Sequence, residues 1–448
     1  MFNRLLLFAG ISLNLGVFAQ TNSPYSAAGI GEHVGSNSPV FSGIGNHSVT
    51  YAMPSVLNTS NPATYSYLRH QFPIFSIGMN TRLSTNHNNG VKEFNNSTAI
   101  SEIAFGLSFA KRFGLAFGIK PIYRKSYNIS STEPLLSDSV RYDYIGTGSV
   151  NKAFIGLSFN IFNKEVFKWS VGGNVGGVFG TVQDERRSSV VSPTTKAGGL
   201  EITSQSLRSF HYDLGTLVQF KLKKANTFTI GATMEPIQKI KSTFNQSLGY
   251  SPTDVTVPST YQYLSGTGDI KGKIQFANNY SVGLSYARLI KTVKRDGNER
   301  VSHLMIMAGY NAAEWSKYND NFADSTRVNN LSNSSGFNVA VQFIPQAIST
   351  GSILPKFFNR TNYRVGYYST TLPYLMNGVQ LNEWAVTAGL GMPILVDKRV
   401  DSSIQLGVGY GKRGTTTDAL SQSFVTVNVG IFVAPSLNDR WFVKRKLD

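Results

Sequence analysis

Along most of the chain, apolar side chains recur at every second position. That is the period of a strand with one apolar face. Ile103, Phe105, Leu107 and Phe109 alternate with Ala104, Gly106, Ser108 and Ala110. After the turn Lys111-Arg112-Phe113, Leu115, Phe117 and Ile119 alternate with Gly114, Ala116 and Gly118. The hairpin this predicts is repeated. Ile155, Leu157, Phe159 and Ile161 lead into Asn163-Lys164-Glu165, and Phe167, Trp169 and Val171 lead out. Leu214, Val218, Phe220 and Leu222 run into Lys223-Lys224-Ala225-Asn226, and Phe228, Ile230 and Met234 follow. Val425, Val427, Val429, Ile431 and Val433 form one unbroken apolar row.

Such strands either bury the apolar row in a soluble β-sandwich or turn it to lipid in a barrel. The other face decides. A sandwich carries charges there; here that face carries Gly, Ala, Ser, Thr and Asn. Charged residues are 15% of the 448, against about 25% in globular proteins. Gly is 42, Phe 29 and Tyr 21, while hydrophobic residues reach only 41% and mean hydropathy is -0.12. Aromatic and glycine richness at middling hydropathy fits a transmembrane antiparallel β-barrel and not a helical membrane protein. Cys is 0, which excludes disulfides, thiolate metal sites, a Cys nucleophile and an N-terminal lipoprotein anchor.

Reading every run in this way gives about fourteen strands. They lie near 71–84, 98–110, 114–132, 139–162, 167–188, 199–222, 227–248, 267–290, 301–316, 335–347, 358–372, 380–394, 401–412 and 420–434. The even count is the rule for bacterial single-chain barrels. Short basic turns alternate with the stretches 85–97, 249–266 and 317–334, rich in Asn, Ser, Thr and Asp and expected as long extracellular loops. The strands at 139–162 and 199–222 are longer than a bilayer crossing and are expected to project beyond it.

Residues 1–19 read as a secretory signal. Arg4 is the positive start, Leu5 to Phe18 the apolar region, and Val17-Phe18-Ala19 the cleavage site. The apolar stretch is too short for a transmembrane anchor, which takes about 20 residues. Residues 20–70 do not alternate. They are too few for a domain with its own core, and a barrel of this size has a lumen that its own side chains cannot fill. They are therefore expected as a plug. The barrel is expected over 71–434 and a basic periplasmic tail over 435–448.

The segment from Ser42-Gly43-Ile44-Gly45-Asn46 to Asn61-Pro62-Ala63-Thr64-Tyr65 resembles the N-terminal hatch of FadL-type outer-membrane transporters. Further segments are similar to that family: Trp315-Ser316-Lys317-Tyr318, Tyr363-Arg364-Val365-Gly366-Tyr367 with Leu372-Pro373-Tyr374, and Gly389-Leu390-Gly391-Met392-Pro393. The terminal Asn438 to Lys446 looks like the tail of one branch of these proteins. The resemblance implies a fourteen-stranded barrel with a hatch in a Gram-negative outer membrane. It implies passive uptake of long-chain fatty acids or other hydrophobic compounds, with Asn61, Pro62 and Ala63 shaping the hatch. The run His47 to Pro54 replaces the family's Gly-rich, Ala-rich approach to Asn-Pro-Ala, and the tail is basic and long. Barrels resembling this family also serve as non-transporting subunits of outer-membrane secretion or assembly machines. The tail residues Arg440, Trp441, Lys444, Arg445 and Lys446 would then contact an outer-membrane or periplasmic protein.

Pro121 falls inside the third strand, where it cannot donate to the ladder. It marks either a lateral opening or a bulge. None of the six histidines forms an HxxxH or HExxH pair, and neither a GxSxG elbow nor a Walker A loop is present. No catalytic residue, metal or cofactor is expected; the remaining enzyme reading would pair His211 with Ser209 or His303 with Ser302. Gly172 to Gly177 lies in a strand and reads as close backbone packing. The net charge of +17 falls largely on short turns and the tail, including Lys111, Arg112, Lys223, Lys224, Lys398 and Arg399, and does not point to nucleic acid. Trp169, Tyr310, Trp315, Tyr318, Tyr368 and Tyr410, near strand ends, are expected in the aromatic girdles facing outer-membrane lipid.

Overall fold

The computed structural model describes residues 23–434, apart from 36–37, 89–90, 136–137, 191–195, 223–224, 294–298, 323–324, 328–330, 349–355, 377, 397–398 and 415–419. The signal segment and the basic tail with Arg440, Trp441, Lys444, Arg445 and Lys446 lie outside the described residues.

A short strand β1 (Glu32–His33) precedes the wall. The wall begins with β2 (Ile74–Asn88), β3 (Val91–Ala110), β4 (Phe113–Arg124), β5 (Tyr127–Leu135), β6 (Asp138–Asn163), β7 (Phe167–Val190) and β8 (Gly198–Leu222). It continues with β9 (Asn226–Glu235), β10 (Lys239–Ser251), β11 (Gln262–Gly266), β12 (Ile270–Gln275), β13 (Asn279–Val293), β14 (Glu299–Ala313), β15 (Asn319–Phe322) and β16 (Ser325–Arg327). It ends with β17 (Ser334–Ile348), β18 (Asn362–Met376), β19 (Val379–Val396), β20 (Arg399–Gly414) and β21 (Leu420–Val433).

Each wall strand is antiparallel to its neighbours. The ring closes where β2 pairs with β21, from Phe75 opposite Val433 to Asn88 opposite Leu420. The barrel has fourteen strands because four of them are broken in two and the short β11 and β16 are added hairpin pieces on β10 and β15. The β4 and β5 pieces pair successively along β6, and β9 and β10 along β8. Likewise β12 continues into β13 and β14 into β15. The interruptions at 236–238, 276–278 and 314–318 sit side by side on three adjacent strands.

The alternation works as expected through the lipid-facing band. Ile77, Ile103, Phe117, Leu157, Val282 and Val365 are exposed on the outside. Ser158, Ser170, Asn174 and Asn338 face inward and are buried. The stretch 85–97 is a correction. It is no long loop; most of it belongs to the β2–β3 hairpin, with Thr85 opposite Phe94 and Asn86 opposite Glu93. Beyond the lipid band both faces of a strand can be polar, so polar composition there does not signal a loop. For the same reason 249–266 contains the end of β10, the 3₁₀ turn Pro258–Thr260 and β11, and 317–334 contains β15 and β16. With 26, 24 and 25 residues, β6, β7 and β8 are the tallest part of the wall.

The N-terminal segment lies inside this ring. Its 3₁₀ turn Pro62–Tyr67 packs on β3, β4, β6, β7 and β8, and its short helix Pro39–Ser42 packs on β19, β20, β21 and β2. Val40, Phe41, Ile44, Tyr51, Leu57 and Tyr65 form an apolar cluster at its centre, each almost fully removed from solvent.

Candidate functional site

The lower lumen is filled by backbone packed on backbone. A Cβ added at Gly366 would stand 2.3 Å from the Gly45 nitrogen, and one at Gly172 would stand 2.5 Å from the Pro62 carbonyl carbon. Gly114 faces the Tyr65 backbone and Gly389 the Gly43 Cα in the same way. These glycines let the plug touch the wall without a side chain between, which no other residue type allows.

Asn61, Pro62 and Ala63 come together at this contact. Asn61 caps the 3₁₀ turn: its Oδ1 accepts from the Ala63 N–H at 3.0 Å, and its Nδ2 donates to the Val49 carbonyl at 2.6 Å. Pro62 starts the turn, where its missing N–H costs nothing. The Ala63 carbonyl accepts from Ser158 Oγ of β6 at 3.0 Å. Buried polar side chains fasten the rest. Arg364, 2% exposed, donates to Gln342 at 2.9 Å, to Gln405 at 2.6 Å and to the Tyr51 hydroxyl at 3.3 Å. His47 bonds Asn338 and Thr50, each at 2.7 Å, and Tyr65 donates to Asn174 at 2.9 Å.

Above the plug, the lumen holds a cavity of about 520 Å³ lined mostly by Ser, Asn, Thr and charged residues, with apolar groups such as Leu214, Met234, Trp315 and Phe337 among them. On one side Arg413 donates to both Glu32 of β1 and Glu383 of β19, the latter at 2.6 Å. Arg82 reaches Glu383 at 3.2 Å and lies 3.8 Å above the Phe424 ring, and the Tyr368 hydroxyl donates to Glu383 at 2.8 Å. On the other side Lys152 is paired with Asp213, Asn174 donates to Asp213 at 2.8 Å, and Lys120 donates to the Thr59 carbonyl at 3.1 Å. Two opposed clusters of charge thus face one space. An apolar solute entering it would desolvate those charges without pairing them.

Further out, the aligned strand breaks turn inward. Trp315 and Tyr318 are buried on Tyr123, Phe276, Ile240, Ile274 and Ile30. This corrects their expected place in the outer girdle. The 3₁₀ turn Trp315–Lys317 interrupts the wall strand between β14 and β15, and its rings pack on the inside. At its start Glu314 accepts hydrogen bonds from Lys317 at 2.9 Å and from Asn278 at 3.0 Å. Tyr368 also faces inward, on Glu383, while Tyr310 and Tyr410 are exposed on the outside.

Pro121 lies where the wall forks. Pairing between β3 and β4 starts near the turn and ends at Ile103 opposite Ile119. Two residues beyond that, β4 bulges between Pro121 and Tyr123 on its β6 side. The edge it had offered to β3 is taken by the plug: Glu32 lies opposite Arg124, His33 opposite Tyr123, and the Val34 N–H donates to the Ile122 carbonyl at 2.8 Å. Residues 91–102 of β3 continue upward with β2 and have no strand on their other side among the described residues.

Among the described residues, His211 is not bonded to Ser209 nor His303 to Ser302. His211 bonds Glu235 at 2.6 Å, and Ser302 donates to the Pro345 carbonyl at 2.7 Å. Among the described residues no group of three His, Asp or Glu could hold a metal. Glu32, Arg82, Glu383 and Arg413 went unnoticed in the sequence because they sit on remote strands. Their one signal is a charge on the small, neutral face of an alternating strand.

The fold and interior define an outer-membrane-type β-barrel whose lumen is plugged below and charged above. A family model described as BamG matches residues 1–448, and the chain belongs to the BamG family. No curated protein matches it. Solved structures with the same fold include the toluene transporter TbuX of Ralstonia pickettii, 12% identical with a TM-score of 0.53, covering 88% of this chain and 97% of that one. A FadL homologue of Pseudomonas aeruginosa is 12% identical with a TM-score of 0.52, covering 90% and 98%. The toluene transporter TodX of Pseudomonas putida is 13% identical with a TM-score of 0.51, covering 90% and 98%. The architecture is therefore FadL-like, while the family is BamG.

Proposed function

We propose that this chain is a non-transporting barrel subunit of a protein secretion or assembly machine in the outer membrane of a Gram-negative bacterium. The observation that carries the reading is the cavity above the plug. Glu32, Glu383, Arg82, Arg413, Lys152 and Asp213 meet there, where a pocket for an apolar ligand would be lined mainly by hydrophobic side chains. The plug below supports it as well. It is fastened by backbone contact with wall glycines and by buried hydrogen bonds, so opening a path would break many contacts at once. Membership of the BamG family points the same way. The basic tail, with Arg440, Trp441, Lys444, Arg445 and Lys446, is the segment we assign to a protein partner.

Passive uptake of hydrophobic compounds is the competing reading. It draws on the fork at Pro121, a lateral exit in such a mechanism, and on the architecture shared with toluene transporters. Native mass spectrometry after mild extraction from the source outer membrane separates the two. An empty barrel in a stoichiometric complex is expected. A monomer carrying a discrete apolar adduct would overturn the subunit reading and name the ligand class.

A further inference from the structure

The fork leaves a stretch of wall that only another backbone can complete. Residues 91–102 of β3 are held by β2 on one side, from Val91 opposite Asn88 to Glu102 opposite Gly78. On the other side β4 has turned away to pair with the plug, and β5 pairs only with β6 among the described residues. Every second backbone N–H and C=O of this stretch therefore points into the gap. Near Ile100 the stretch enters the lipid-facing band, where an unpaired backbone group has no water to bond.

The side chains say what would fit. Phe94 and Ile100 are exposed on the outer face, at 70% and 55%. Asn95, Ser97 and Ser101 are buried and line the polar cavity. A strand laid against β3 would thus have Phe94, Asn96, Thr98 and Ile100 beside its outer face, with lipid reached only near Ile100. On its inner face it would have a polar space of about 520 Å³. The matching occupant is an extended segment with alternating apolar and polar residues, which is the pattern of outer-membrane barrel strands themselves. The free stretch is long enough for the nine to eleven residues of such a strand. An acyl chain supplies no hydrogen bonds, and a helix has already used its own.

We propose that the free edge of β3, residues 91–102, accepts a β-strand of another outer-membrane protein as an added strand of the wall. This rests on the subunit reading above, since it gives the machine a contact with its client or its neighbour. Main-chain pairing would supply the affinity, and the two faces the selection for alternation.

The native chain has no cysteine, so single-thiol variants report one position each. The full-length barrel in detergent would carry Asn96→Cys, exposed on the free edge, or Val429→Cys, exposed on β21 and paired on both sides. The probe is a peptide of about eleven residues alternating Leu and Ser, with one central Cys carried as its 2-thiopyridyl disulfide, so that attack by the barrel thiolate releases thiopyridone. The control peptide has the same composition with Leu and Ser in separate blocks. Disulfide formation with the alternating peptide is expected to be roughly tenfold faster or more in N96C than in V429C, because a bound thiol acts at high effective concentration. The blocked peptide should show no such preference. Equal rates at the two positions, or equal rates with the two peptides, would overturn the proposal. So would a homodimer of N96C that excludes the peptide, which would mean that a second copy covers the edge. Native mass spectrometry keeps the two questions apart. An intact complex with an inert edge sinks this inference alone, whereas a solitary barrel that still binds the strand sinks the subunit reading.

Discussion

The two halves of the lumen are filled by opposite means. In the lower half the plug meets the wall through glycines, and the contact is steric: Gly366 against Gly45, Gly172 against Pro62 and Ala63. In the upper half the same N-terminal chain reaches the wall through charge, with Glu32 on Arg413. The first kind of contact tolerates no added atom. The second tolerates changes of shape but not of charge balance. The lower half is thereby rigid, and the upper half keeps an open, polar cavity beside a forked wall. Backbone packed on backbone forms the floor, and the region above it is where a partner is proposed to bind.

The sharpest break of that comparison is Gly366→Val. Its side chain would fall on the backbone of Ile44 and Gly45, which cannot yield as a flexible side chain would. The plug is expected to lose its seat, read as rapid proteolysis of the N-terminal segment while the barrel keeps its strand signal by circular dichroism. A variant that stays protease-resistant would show the glycine contact to be dispensable. Next comes the upper half. Arg413→Met removes the cation shared by half-buried Glu32 and buried Glu383, leaving Glu32 without its ion pair and Glu383 with Arg82 alone. A loss of about 3 kcal/mol in unfolding free energy is expected, with the plug still protected from protease. The double variant that also carries Glu383→Gln should recover part of it.

The barrel was readable because lipid on one side and a polar lumen on the other impose a strict period of two. That period located all fourteen strands of the wall. It failed where the physical cause of the period ends. Beyond the lipid band, residues 85–88 and 91–97 pair as strands despite a loop-like composition. At 314–318 the wall strand is interrupted and its rings pack on the inside, so Trp315 and Tyr318 became core residues. Asn61-Pro62-Ala63 could be read locally, since a cap and its turn are neighbours in sequence. The charged quartet could not. Glu32, Arg82, Glu383 and Arg413 meet only after the ring has closed and the plug has entered, and ring closure leaves no mark on spacing.

Smaller effects sharpen the contrast. Asn61→Ala keeps the turn's proline start but loses three side-chain hydrogen bonds, to the Ala63 N–H, the Val49 carbonyl and, at 3.5 Å, the Thr216 carbonyl. We expect a loss of about 1 to 2 kcal/mol, and the plug should become more open to protease without being expelled. The least effect is expected at the rim of the tall wall. There Arg186 reaches Glu201 at 3.4 Å, with the arginine side chain 63% exposed. Water screens such a pair and the long side chain loses freedom in making it, so Arg186→Ala should shift stability by about 0.5 kcal/mol or less. A loss as large as that at Arg413 would mean that ion pairs matter equally at the rim and in the cavity. The upper half would then be held by charge at every level, and the charged quartet would no longer be what distinguishes the cavity from the surface above it.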